Sequence, residues 1–188
     1  MEIEEIKLYL KEGAGARISL DAKKIKNIGE EISECIKGGN KIILMGNGGS
    51  AADAQHIAAE FVGKFELERK PYPALVLHGN SSTITAIGND YGFEKVFERQ
   101  LEAFAKKGDI VIALSTSGNS KNVINGILKA KEIGCSVIGI TGRIGGKMAT
   151  LIDDEHLIRI ESDRTPIIQE ATITAGHIIS KIVEDNLK

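Results

Sequence analysis

Residues 42–60 read IILMGNGGSAADAQHIAAE, and this stretch decides the fold. A short apolar, β-branched run stops at glycines and an alanine-rich run begins at once, which predicts a strand, a tight loop and a helix. Such a loop lies at the carboxyl edge of a sheet, where open α/β sheets bind ligands. Within the helix, His56 and Glu60 are four residues apart and therefore share one face. The stretch thus predicts the place of a functional site as well as a structural unit.

The same alternation of strand and helix continues along the chain. Strands are predicted at residues 41–45, 74–77, 110–114, 136–140 and 156–160. Helices beyond the first are predicted at residues 93–107, 121–133, 148–151 and 165–186. The polar, glycine-bearing segment 78–92 receives no regular element. This order predicts a doubly wound, flavodoxin-like α/β fold with a five-stranded parallel sheet covered by helices on both faces.

The N-terminal segment, residues 1–40, carries apolar residues at helical spacing that is interrupted near Gly13-Ala14-Gly15. We predict two helices here, or one broken helix, added to an α/β core at residues 41–188. A chain of 188 residues with 42% hydrophobic content fits a single domain, 1–188, better than two. The helical segment cannot bury its apolar face on the first βα unit alone, so it is a candidate for packing on the sheet or on another subunit.

Composition restricts the class of partner. The 24 basic and 26 acidic side chains give a net charge of -2 without an arginine-rich face, so we expect a small ligand and no nucleic acid. Cys35 and Cys135 suit buried thiols in a reducing compartment. No apolar run reaches the roughly 18 residues of a membrane span, and the first residues are acidic. We therefore expect a cytoplasmic protein without a membrane partner.

A hydroxyl-rich loop follows the third predicted strand. Residues 115–120 read STSGNS, with four hydroxyl side chains around a glycine immediately before a helix. Hydroxyl groups, free backbone N–H groups and the helix dipole all favour a phosphate at such a place. The alternative is that Ser120 only caps the helix and its neighbours form a polar turn. The loop lacks the Gly-Lys-Ser/Thr ending of a Walker motif, so nucleotide hydrolysis is not indicated.

The glycine loop itself has two interpretations. Residues 46–51 fit the loose G-x-G-x-x-G/A pattern of dinucleotide-binding folds. A dinucleotide site also needs an acidic residue at the end of the second strand, and residues 77–80, LHGN, supply none. We favour a polyol ligand, hydrogen-bonded by Asn47 and Ser50.

Two predicted helices carry potential metal ligands. His56 and Glu60 are compatible with an ordinary surface pair. However, Gln169 and His177 are eight residues apart in the last helix and again share one face. If the two helices converge, these four side chains form a nitrogen and oxygen set suited to Zn²⁺, although the spacing alone does not prove a site.

Four separated motifs together resemble the phosphoheptose isomerases, a family of sugar-isomerase (SIS) domain proteins. They are the string GNGGSAADAQH at 46–56 with Glu60, the pair Asn89-Asp90, the run Ser115 to Ser120, and Gln169-Glu170 followed by His177. The likeness covers nearly the whole chain, with the motifs in the family's order. One position departs from the family pattern, since Lys64 replaces an arginine and so retains the charge without the bidentate fork.

The resemblance implies an aldose–ketose isomerase that converts sedoheptulose 7-phosphate to D-glycero-D-manno-heptose 7-phosphate through an enediol, for surface heptoses. It implies that Glu60 is the base and His177 the partner acid/base, and that a homotetramer carries sites at subunit boundaries. It implies phosphate binding by Ser115, Thr116, Ser117 and Ser120. It implies sugar binding by Asn47, Gly48, Gly49, Asn89, Asp90 and Gln169. It implies a zinc ion held by His56, Glu60, Gln169 and His177.

A rival interpretation is a non-catalytic module. SIS domains also serve as phosphosugar sensors in regulators, and a relative of this family is a partner of the bacterial replication initiator. A sensor would not need Glu60 and His177 together, so their joint presence favours the enzyme. A role in partner binding would leave no trace in the pocket.

Overall fold

The computed structural model describes residues 1–188, and its centre is one five-stranded parallel sheet in the order β2-β1-β3-β4-β5. The strands are β1 (Ile42–Met45), β2 (Ala74–Val76), β3 (Ile110–Leu114), β4 (Ser136–Gly142) and β5 (Leu157–Ile160). In β1, Leu44 lies opposite Val76 of β2 on one side and Ile112 of β3 on the other. The strand order reverses between β1 and β3, and open sheets of this kind bind ligands at that point. The predicted doubly wound fold is confirmed.

Eight helices surround the sheet. They are α1 (Ile3–Ile18), α2 (Ala22–Lys37), α3 (Gly49–Val62), α4 (Ser81–Tyr91), α5 (Val96–Phe104), α6 (Lys121–Ile133), α7 (Met148–Leu151) and α8 (Thr165–Leu187). Two short 3₁₀ turns, Phe93–Lys95 and Asp154–His156, precede α5 and β5. Gly134 ends α6 in the left-handed conformation, as the sequence predicts.

Two apolar cores lie on the two faces of the sheet. Leu44 and Ile112 face the core that includes α2, α3 and α8, whereas Met45 and Val111 face the core that includes α5 and α6. Every residue of β1 and β3 is buried. Burial of both faces explains why these strands read as continuous apolar runs, and it fixes the carboxyl ends of β1 and β3 as a rigid base for the loops that follow them.

The N-terminal segment forms two helices, but the break lies elsewhere than predicted. Gly13 and Gly15 sit inside α1, and the chain turns at residues 19–21. Asp21 starts α2 by accepting a hydrogen bond from the Lys24 backbone N–H at 2.9 Å. A cap that satisfies a free N–H therefore decides the boundary, while the glycines are tolerated in the helix; a Cβ on Gly13 would meet the Glu170 carboxylate on α8.

The segment 78–92 contains a helix that the sequence analysis misses. Asn80 caps α4 by accepting a hydrogen bond from the Thr83 N–H at 3.1 Å. Hydroxyl side chains and a glycine give this segment a weak helical pattern. The partly buried Ile84 and Ile87 pack on the second core and offset that weakness. No helix of the protein is both long and apolar enough to cross a bilayer.

The two cysteines are free thiols, Cys135 buried and Cys35 half-buried. Burial raises the pKa of Cys35 to about 11 and also raises the pKa of Cys135. Since the thiolate is the reactive form, neither side chain is set up as a nucleophile.

Candidate active site

The loop after β1 is shaped by two glycines. Gly48 has φ +55° and ψ −123° and lies at the N-cap of α3, a conformation that side chains rarely adopt. A Cβ on Gly49 would lie 2.2 Å from the Gln169 amide nitrogen, so only glycine allows α8 to bring this amide against the loop. Ser50 is buried in the first turn of α3. The loop thus presents backbone and the Gln169 amide at the carboxyl edge of β1.

Three potential ligands converge where α3 packs against α8. The His56 Nε2 lies 3.0 Å from the Glu60 carboxylate and 3.4 Å from the His177 Nε2. All three donor atoms lie within 4.8 Å of one another. Ligands 2.0–2.1 Å from a tetrahedral zinc are about 3.4 Å apart, so these spacings suit one shared ion. Two imidazoles and a carboxylate can therefore hold a metal. Gln169, the fourth predicted ligand, lies eight residues before His177 on α8, with its amide against Gly49.

The triad is partly open to solvent. The His56 side chain is 52% exposed and the Glu60 side chain 19% exposed, so a ligand in solution can reach the histidine. The Phe65 ring lies beside that of His177, with ring centroids 5.7 Å apart and ring planes tilted by 37°. One turn before His56, an Asp53 oxygen is buried without a partner, and burial raises the pKa of Asp53 while His56 partly offsets the rise.

The hydroxyl loop lies at the end of β3, next to β1 in the sheet. The Ser115 and Ser120 hydroxyls are 3.1 Å apart, and the Ser120 side chain accepts no hydrogen bond from the N–H groups of α6. Ser120 occupies the N-cap position but does not cap the helix, so the alternative that it serves only as a cap is not supported. Free helix N–H groups and several hydroxyls remain available for an anion.

A cavity of about 280 Å³ opens beside this loop. Thr116 and Ser117 line it together with Arg143 from the loop after β4 and Thr165 at the start of α8. Asn119 joins the two loops by donating to the Ser117 carbonyl at 3.0 Å and accepting from the Lys147 N–H at 2.9 Å. Asn119 therefore ties the hydroxyl loop to the loop after β4.

Asn122 lies opposite Asn47 and is a supporting residue that the sequence patterns do not single out. The two amides exchange hydrogen bonds in both directions, each 2.8 Å long, and Asn122 is buried. The pair fixes the orientation of the Asn47 amide above the strand end. The sequence does carry one signal for it: Asn122 is a polar residue on the apolar face of α6, two positions after Ser120.

Two predicted residues lie apart from this cluster. Asn89 and Asp90 are in the last turn of α4 and hydrogen-bond to each other at 2.8 Å, with no bond to another candidate residue. Lys64 points to the surface and pairs with Glu68 at 2.7 Å. Within one chain, the structure brings α3 and α8 together at the triad and at Gly49, and the Asn89–Asp90 pair has no bond to either group.

Comparison with known proteins identifies the family. Residues 12–142 match the model of the SIS domain. The chain is 52% identical to the probable phosphoheptose isomerase of Thermoplasma acidophilum, over 96% of this chain and 98% of that protein. Solved phosphoheptose isomerases from Neisseria gonorrhoeae and Francisella tularensis superpose with TM-scores of 0.90 and 0.93 at 37% and 31% identity. The first covers 97% of this chain and 98% of its own, the second 98% and 99%.

Three observations indicate the same family: the segment that matches the family model, the order of the strands in the sheet, and the nearly complete coverage of the relatives. The chain belongs to the phosphoheptose isomerases of the SIS domain family, which are sugar-phosphate isomerases.

Proposed function

We propose that this protein converts sedoheptulose 7-phosphate to D-glycero-D-manno-heptose 7-phosphate through an enediol, as a step towards the heptoses of lipopolysaccharide core or surface glycans. One observation carries the proposal: a carboxylate and two imidazoles meet where α3 packs on α8. The same two helices bring Gly49 against Gln169 at the glycine loop, and the loop of four hydroxyls follows the neighbouring strand β3. Phosphoheptose isomerases among the relatives, at 52% and 47% identity, support the choice of sugar.

The isomerisation needs two proton transfers, one between the carbons C1 and C2 and one between their oxygens. Glu60 removes the proton from C1 of the ketose and returns it to C2, which needs a carboxylate beside the carbon acid. His177 moves the proton between the two oxygens, so that the O1 hydroxyl becomes the aldehyde and the C2 carbonyl becomes a hydroxyl. The same carboxyl group takes one proton from C1 and delivers one to C2, with exchange against solvent in between, and no electron acceptor is required.

The remaining candidates bind the substrate. Ser115, Thr116, Ser117 and Ser120 hold the phosphate, which the dipole of α6 also favours. Asn47, Gly48, Gly49, Ser50 and Gln169 hold the sugar hydroxyls. A zinc ion bound by His56, Glu60, Gln169 and His177 would supply Lewis-acid polarisation of the carbonyl. The N/O donor set and its spacings support this choice of metal.

Assembly into a homotetramer is part of the proposal. Large apolar side chains are exposed on α1 and around the end of α4: Ile3, Ile6, Leu8, Leu10, Ile18, Tyr91 and Phe93. Contiguous exposed apolar surface is typical of subunit interfaces. An interface at α4 would also carry Asn89 and Asp90 towards the site of a second copy. Light scattering on the purified protein measures the assembly state directly.

The test is isomerisation of sedoheptulose 7-phosphate by the purified protein in D₂O, with added Zn²⁺ and with chelator, followed by NMR. Turnover with deuterium at C2 of the product supports the enediol route, and loss of rate with chelator supports the metal. Binding without turnover under both conditions would contradict the proposal and favour a phosphosugar sensor.

A further inference from the structure

A buried carboxylate on α8 lies outside the residues assigned so far. Glu184 is seven residues beyond His177 and its side chain is fully buried. It accepts hydrogen bonds from the backbone N–H groups of Phe65, Glu66 and Leu67 at 3.0–3.2 Å. A buried charge is costly unless such partners compensate it. Burial by itself raises the pKa of Glu184, but these bonds and the Arg69 guanidinium hold it below its usual value, so the group is ionised.

Arg69 connects this carboxylate to the end of α3. Its Nε donates to Glu184 at 3.1 Å, and its Nη2 donates to the carbonyl oxygen of Glu60 at 2.6 Å. Its Nη1 donates to the carbonyl oxygens of Phe61 at 3.0 Å and Gly63 at 3.3 Å. The last carbonyls of a helix have no partner within the helix, and only a guanidinium offers enough donors in a fixed plane to satisfy several of them.

The Arg69–Glu184 pair therefore joins the two helices that carry the reacting groups. α3 ends at Val62, so its last turn, including the backbone of Glu60, is tied through Arg69 to α8. The loop that Glu184 holds carries Phe65, whose ring lies beside that of His177 with centroids 5.7 Å apart. One buried ion pair thus holds the backbone of Glu60 and the loop whose aromatic ring neighbours His177.

We propose that Arg69 and Glu184 are positioning residues for the isomerisation, which set the separation of Glu60 and His177; this inference rests on the proposed function. Reacting groups lose rate steeply when displaced, by about 100-fold for a misplacement of 1 Å. A pair that served stability alone would change the melting temperature and leave turnover by the folded protein unchanged.

The test variant is Glu184→Gln, which retains the size of the side chain and removes the charge opposite Arg69. We expect kcat to fall about 10- to 100-fold, with KM changed less than about threefold, because the phosphate and sugar contacts are elsewhere. Hydrogen exchange of residues 61–70 should accelerate while the strands remain protected. Zn²⁺ affinity, measured by competition with a chromophoric chelator, should fall about 10- to 100-fold, as for other residues that support metal ligands.

Two control variants separate positioning from stability. Asp185→Asn makes the same chemical change on the next residue, where the carboxylate is 41% exposed and pairs with Lys181 and Lys188. Ile32→Val removes a buried methyl group where α2 packs on α8, and lowers stability without touching the loop. Both controls should retain the wild-type kcat and Zn²⁺ affinity.

An unchanged kcat and Zn²⁺ affinity in folded Glu184→Gln, with faster exchange in residues 61–70, would overturn the inference and leave the pair a purely structural role. If that variant does not fold, Glu184→Asp takes its place, because it retains the charge but withdraws it from the loop. Its kcat and Zn²⁺ affinity then decide between the two roles. A wild-type protein without turnover would contradict the proposed function instead, while the Zn²⁺ titration would still decide the role of the pair.

Discussion

The Nε2 atoms of His56 and His177 lie 3.4 Å apart, although 121 residues separate the two histidines in sequence. A separation of 3.4 Å between two ring nitrogens is long for a direct hydrogen bond and matches the spacing of two ligands on one tetrahedral ion. The Glu60 carboxylate lies 3.0 Å from the same His56 nitrogen and supplies the negative charge that favours a cation. The contact thus connects the packing of α3 on α8 with the chemistry proposed for the site.

Replacing one of these histidines should weaken metal binding. We expect wild-type protein to take up one Zn²⁺ per chain and His177→Ala to bind it at least about 100-fold more weakly, since even residues that only support ligands contribute 10- to 100-fold. The measurement is a competition titration with metal content determined by mass spectrometry. His156→Ala is the matched control, because His156 pairs with Glu31 outside the triad. Equal affinity of both variants would contradict the assigned ligands.

Glu60→Gln tests the proposed base. The amide retains the shape of the side chain but cannot accept the C1 proton, so turnover should fall about 10²- to 10⁴-fold, the usual contribution of a general base. Binding of the phosphosugar, measured by calorimetry, should change far less. Glu68→Gln, on an exposed residue paired with Lys64, should behave as wild type. A Glu60→Gln enzyme with the full rate would remove Glu60 from the mechanism.

The local patterns of this chain predicted the sheet and the position of the loops, because a buried parallel strand reads as an apolar run that ends at a glycine or hydroxyl loop. The ends of β3 and α6 match the predicted bounds for that reason. α4 was missed because its stability comes from the Asn80 cap and from packing, not from the helical pattern of its own residues.

Long-range pairs in the site could not be predicted in the same way. The Asn47–Asn122 amide pair and the Arg69–Glu184 pair join residues 75 and 115 positions apart. No local spacing rule connects such residues, because their contact is created by the packing of separate elements. Spacing along α8 and the resemblance to a family both pointed to Gln169 and His177 as partners for α3, but neither gave an indication of these two supporting pairs.

Asn122→Ala should weaken substrate binding through Asn47. The change removes both hydrogen bonds of the amide pair and frees Asn47 to turn away from the ligand. Loss of about one well-made hydrogen bond to the sugar predicts a KM raised about 10-fold with a smaller change in kcat. Asn125→Ala is the control on the same helix, since the Asn125 side chain reaches only the Glu94 carbonyl oxygen. Steady-state kinetics would contradict the role if both variants retained the wild-type KM.

Gly49→Ala should impair the site by displacing Gln169. The added methyl group would lie 2.2 Å from the Gln169 amide nitrogen, so the amide must move or the loop must shift. We expect weaker binding of both Zn²⁺ and phosphosugar, measured by titration calorimetry. Gly15→Ala, whose new methyl group meets no atom within 4 Å in α1, should bind both ligands normally and gain about 0.5–1 kcal/mol of stability. Normal binding by Gly49→Ala would show that the close approach is not needed.

Asp109 lies at the amino-terminal edge of the sheet, directly before β3, and should make the free energy of unfolding depend on pH. Its side chain is fully buried and accepts from the Lys41 ammonium at 2.6 Å and from the Lys106 N–H at 2.9 Å. Burial raises the pKa of Asp109, but these hydrogen bonds outweigh it and hold the pKa below its usual value of 3.8. A depressed pKa contributes stability that is fully present above the pKa of the unfolded state, about 3.9, and is lost as the pH falls through the folded value.

Asp109→Asn should therefore cost about 2–4 kcal/mol at pH 7, because it leaves the Lys41 charge without its partner. The difference from wild type should shrink as the pH falls below about 4, where the unfolded state takes up a proton, and continue to shrink until the native carboxylate is protonated at lower pH. Urea unfolding curves at several pH values measure both effects. Asp154→Asn is the control, since the Asp154 side chain is 72% exposed and its pair with Lys24 should contribute little. A difference between Asp109→Asn and wild type that stayed constant from pH 7 to pH 3 would mean that this carboxylate is not the group that titrates.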